Sequence, residues 1–96
     1  MDDKKDLPEL VNLFLIGKTV NDILVREKIY QAVLELLMGN ISHLYQVLYR
    51  IDVKEEKVRN AFSDNPLAEV AAERITTLII DRQLEKIKWR QKYSQQ

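Results

Sequence analysis

The chain has 96 residues with two Gly, two Pro and no Cys; 46% are apolar, 31% are charged, and 15 cations balance 15 acids. One folded, helix-leaning domain (1–96) is the expectation at this length and composition. The missing Cys excludes disulfides, thiolate nucleophiles and Cys-based zinc sites, and zero net charge gives no overall pull on polyanions.

The opening MDDKKDLPELVNLFLI starts acidic, with neither a basic leader nor a small-residue cleavage site, so it is a poor signal peptide. Pro8 suits the first turn of a short helix running to about Ile16, with Gly17 as its C-terminal cap. The alternation of Val11, Leu13 and Leu15 leaves a hairpin over LVNLFLIGKTV as the alternative. Thr19 and Asp22 then resemble a capping box. The segment that follows carries two apolar stripes: Val25, Ile29, Ala32 and Leu36 on one side, Ile23, Tyr30, Leu34 and Leu37 on another. A helix apolar on two sides is central, which makes this the expected core helix.

Gly39 and Asn40 can end that helix and cap the next, Gly by taking a left-handed turn and Asn by accepting an orphan amide. Ile41, Leu44, Leu48 and Ile51 mark the buried face of a third helix. Asp52 followed by Glu55 predicts a cap for a short fourth helix that buries Val58, Ala61 and Phe62. Ser63-Asp64-Asn65-Pro66 breaks the chain, with Asn65 as cap and Pro66 as the first residue of the last helix. From there to about Tyr93 no Gly or Pro intervenes, which predicts a helix of roughly 42 Å, longer than the ~32 Å diameter of a compact domain this size. Its apolar face also switches, from Leu67, Ala71, Ile75 and Leu78 to Ile80, Leu84 and Ile87. One domain rarely covers both sides of a peripheral helix; a second chain can. The apolar stretches are broken by Gln31, Glu35, Asn40 and Asp81, short of the ~20 residues a membrane span needs, so a cytoplasmic protein without a membrane partner is expected.

The stretch LYRIDVKEEKV (48–58), followed later by LIIDRQLEKIKWRQKY (78–93), resembles a family of small bacterial proteins with an LYRIDV pattern, then an acid and a lysine, and LI-x-x-RQ-x-x-K further on. The matching positions include Leu48, Tyr49, Arg50, Ile51, Asp52, Val53, Lys57, Leu78, Ile79, Arg82, Gln83, Lys86, Arg90 and Tyr93. The resemblance covers the second half of the chain and implies a helical domain. It implies no activity and no catalytic residue, because the family has none assigned.

Few residues offer chemistry. His43 is the only histidine, and without Cys or a carboxylate at ligand spacing it builds no ordinary zinc site; it reads as a polar residue near a helix start. Tyr45 and Tyr49, one turn apart, read as core or rim packing rather than a groove. Glu69 with Glu73, and Asp81 with Glu85, read as a solvated face. No phosphate loop, nucleophile elbow or metalloprotease motif is present. No cofactor, metal or catalytic residue is therefore assigned, and the expectation is a non-enzymatic protein.

The strongest candidate is KIKWRQKY (86–93). On a helix Arg82, Lys86, Trp89 and Tyr93 share a face flanked by Arg90, with Lys88 and Lys92 on another side. Such a stripe suits a partner helix, because aromatics bury area and Arg pairs with acids. It also suits nucleic acid, because aromatics stack on bases while cations hold phosphates. The reading favoured is an all-α bundle of about five helices with a long protruding C-terminal helix (about 66–93). It is expected to be a homodimer that self-associates through Ile80, Leu84, Ile87, Trp89 and Tyr93, with Arg82 and Arg90 as polar partners. The alternative is a nucleic-acid binder using Arg82, Lys86, Lys88, Arg90 and Lys92.

Overall fold

The computed structural model describes residues 6–15 and 22–94, without the side chains of 13–15, 22, 23, 93 and 94. These residues form five helices: α1 (Leu7–Leu15), α2 (Asp22–Gly39), α3 (Ile41–Arg50), α4 (Glu55–Ala61) and α5 (Ala68–Ser94). The fold is all-α, as the periodicities predict, and residues 7–15 are helical rather than one arm of a hairpin. The Gly17 cap and the Thr19 end of the capping box lie outside the described residues. No helix among the described residues is long and apolar enough to cross a membrane.

Each boundary has a local cause. Asp6, not singled out in the sequence, caps α1: its Oδ1 accepts from the Glu9 amide at 3.1 Å. Asn40 caps α3 as expected, its Oδ1 accepting from the His43 amide at 3.3 Å. Gly39 takes no left-handed turn; it is the last residue of α2, and the Asn40 amide continues the ladder to Leu36 O at 2.8 Å.

Two predicted caps are corrected. Asp52 does not cap α4, whose N-cap is Lys54 without a side-chain bond. Asp52 instead terminates α3 at φ 66°. Its amide donates to Tyr49 O at 3.1 Å, and the Val53 amide reaches Leu48 O at 3.0 Å. That is the paired closure of a left-handed helix end, and an Asx residue tolerates it better than most. Nor does Asn65 cap α5. Asp64 and Asn65 both lie in the left-handed region (φ 68° and 48°), so Pro66 precedes the helix. The first ladder bond of α5 runs from the Ala71 amide to Leu67 O at 3.0 Å.

The core is built around α2 and α5, which pack on each other, with α1 against both, α3 on α2 and α4 on α5. Ile29, Val33, Leu44, Ile75 and Ile79 are fully enclosed. Val25, Tyr30, Leu34, Leu36 and Leu37 pack around them half-buried, so α2 is the central helix its two stripes predict. Two expected core positions are not in the core: Ile41 is 42% exposed and Leu67 is 73% exposed. Leu67 sits before the first turn of α5, so the stripe phase does not apply to it. Arg26 of α2 ties the pair together, donating to Glu73 Oε1 at 2.7 Å and Thr77 Oγ1 at 2.8 Å. Arg74 bonds the carbonyls of Ala61 and Ser63, both at 3.2 Å, and so closes the C-terminal end of α4.

At 27 residues α5 runs about 40 Å through a molecule of 45 × 38 × 22 Å. Its buried residues are Ala71, Ala72, Ile75, Thr76, Ile79 and Gln83. Beyond Gln83 no described residue is buried. The distal end therefore overshoots the domain.

Candidate protein interface

The distal half of α5 begins at a polar joint. Arg82 donates from Nε to Ile51 O at 3.4 Å, from Nη2 to Asp52 Oδ2 at 3.1 Å and from Nη1 to Glu85 Oε1 at 3.3 Å. This fork clamps α5 onto the left-handed end of α3. Arg82, expected as an interface or phosphate-binding cation, is thus engaged within the domain by a carbonyl and two carboxylates. The carboxylate of Asp52 is mostly in water, so the ion pair is worth at most about 1 kcal/mol; the backbone geometry at Asp52 matters as much. Asp52→Ala should cost about 1 kcal/mol more than Asp52→Gly in urea unfolding, because only glycine takes the left-handed turn without strain. Equal losses would mean that the turn contributes nothing.

Beside this joint lies a cleft of about 570 Å³ between α5 and the α3–α4 connection. It is lined by Val53, Lys54 and Lys57 from the α3–α4 side and by Leu78, Asp81 and Glu85 from α5. Lys86 sits next to the clamp, half-buried; partial loss of water and the adjacent Arg82 lower its pKa, while Asp52 opposes the shift.

Around and past the joint the proposed interface residues diverge. Ile80 is half-buried and packs on the domain's own core, so it is not a free member of the second stripe. The divergence has a simple cause: α5 is covered by more than one neighbour, and the covered arc is wider than one stripe. Leu84 is 50% and Trp89 51% exposed, and Ile87 is half-buried. Lys88, Arg90 and Lys92 are exposed. Lys92 places its ammonium 5.3 Å from the centroid of the Trp89 ring, so the separation into a cation–aromatic face and a second cationic side is not clean. The Tyr93 side chain lies outside the described residues.

His43 is half-buried at the start of α3, and its amide is held by Asn40. Among the described residues no group of His, Asp and Glu is arranged to hold a metal ion. All four acids of the two carboxylate pairs are exposed; Glu73 bonds Arg26 and Glu85 bonds Arg82. Tyr45 rims the core against Phe62, ring centroids 6.5 Å apart, whereas Tyr49 is 88% exposed and neither core nor rim. Ile41, Tyr45 and Tyr49 recur every four residues on the outward side of α3, an apolar face that the assignment of Ile41 to the core concealed. Tyr30 stands where Glu69, Glu73 and Glu27 converge; lost hydration first, then those carboxylates, raise its phenol pKa.

In comparisons with known proteins, no family model, no curated protein and no solved structure matches the chain.

Proposed function

We propose that the protein is a small, non-enzymatic, cytoplasmic interaction protein that assembles with a second copy of itself through the distal half of α5. One observation carries this reading: past Gln83 no described residue of α5 is buried, yet Leu84 and Trp89 stand there half in water, with Ile87 partly covered between them. Covering the exposed half of Leu84 would be worth about half of the ~1.5–3 kcal/mol of a full burial, and covering the rest of Ile87 less. The likeness of 48–58 and 78–93 to the bacterial LYRIDV family belongs to the same proposal, because the Arg82 clamp joins the two segments that carry it.

Replacing Leu84 and Ile87 together with Glu should convert a dimer to a monomer in sedimentation, with helical content retained because both residues lie outside the enclosed core. A dimer that survives the change would place the interface elsewhere, with the outward face of α3 next to test. A chain already monomeric at high micromolar concentration would end the self-association reading. Nucleic-acid binding through Lys86, Lys88, Arg90 and Lys92 is the rival. It loses Arg82 to the clamp, and it would reveal itself as a steep fall of DNA or RNA affinity with salt.

A further inference from the structure

Resting on the self-association reading, we infer that the second copy docks antiparallel to the first, with Leu84 at the two-fold axis and Asp81 facing Lys88 of the partner subunit. At about 100° per residue, Asp81, Leu84 and Lys88 fall within an arc of about 60° on α5. All three are exposed, Leu84 at 50%. Neither Asp81 nor Lys88 takes part in an ion pair among the described residues. An acid three residues before the apolar contact and a base four residues after it form a self-complementary set. Antiparallel pairing about Leu84 brings each acid to the other copy's base, the same patch serving both copies.

Parallel pairing does the opposite. It sets Asp81 against its own copy and Lys88 against its own copy. It also stacks two distal segments (82–92) that each carry five cations and a single acid. Like charges held opposite each other disfavour a mode of association even where the apolar contact is equal.

The test is a charge swap read by sedimentation equilibrium, with circular dichroism as the folding check. Asp81→Lys and Lys88→Asp should each weaken the dimer by about tenfold, because each creates two like-charge contacts. The double variant should recover to within about threefold of the unmodified protein. Orientation is read separately from a nitroxide at Lys92→Cys, the only thiol in a chain that has none of its own. Antiparallel pairing about Leu84 separates the two labels by about 24 Å along the helices, against about 10 Å between parallel neighbours. Unchanged affinity in the single reversals, a swap that does not recover, or the short distance would overturn the antiparallel arrangement and leave the dimer standing. A monomeric unmodified protein would overturn both.

Discussion

Ile79→Ala lowers the stability of the protein by about 2–5 kcal/mol, the range for emptying an enclosed aliphatic site. Ile79 has no exposed surface and lies in the central cluster that α5 forms with α2. Neighbours on several helices cannot all relax into the space left by three carbons, so a cavity remains. The measurement is the urea midpoint at unchanged slope. Leu84→Ala, compared at a dilution where the chain is monomeric, is the control on the same helix: half of Leu84 is then in water, and its loss should stay near 1 kcal/mol. A loss below 1 kcal/mol at Ile79 would mean that the α2–α5 contact is looser than the burial implies.

Gln83→Leu acts in the other direction and stabilises the protein by about 1–3 kcal/mol. Gln83 is 1% exposed, and among the described residues neither its Nε2 nor its Oε1 has a hydrogen-bond partner. Desolvating an amide without replacing its water bonds is costly, and leucine keeps much of the volume without the polar atoms. Gln83→Ala must destabilise instead, because it removes the packing along with the amide. The opposite signs separate the two effects. A destabilising leucine would show that the amide is bonded in solution, for example to an enclosed water.

The periodic segments were the legible part of this fold. The two stripes of α2 and the Asn40 cap state a local rule, and the structure obeys it. Asp52 was misread because an acid just after one helix and just before another fits two roles locally. Its actual partner, Arg82, is 30 residues away. The left-handed turn that ends α3 likewise depends on where the chain goes next. Gln83 carried a usable signal: it lies four residues beyond Ile79 and eight beyond Ile75, in phase with the buried face, but an amide reads as surface.

The candidate interface was legible only in part. Leu84 and Trp89 could be placed by spacing. The half-burial of Ile80 could not, because it depends on how much of α5 the neighbouring helices cover. Arg82 shows the same limit most plainly, since a cation in a basic stretch looks available until the chain brings a carboxylate and a carbonyl to it.

The bond from Arg26 to Glu73 spans 47 residues. During synthesis α2 leaves the ribosome well before the helix that covers it, and α3 and α4 must emerge first. Ile29 and Val33 therefore wait without their principal cover while the intervening chain is made, and only arrival of α5 closes the core. The order of translation makes the last helix the completing piece of the fold, so a chain halted before α5 is left with an uncovered apolar face on α2.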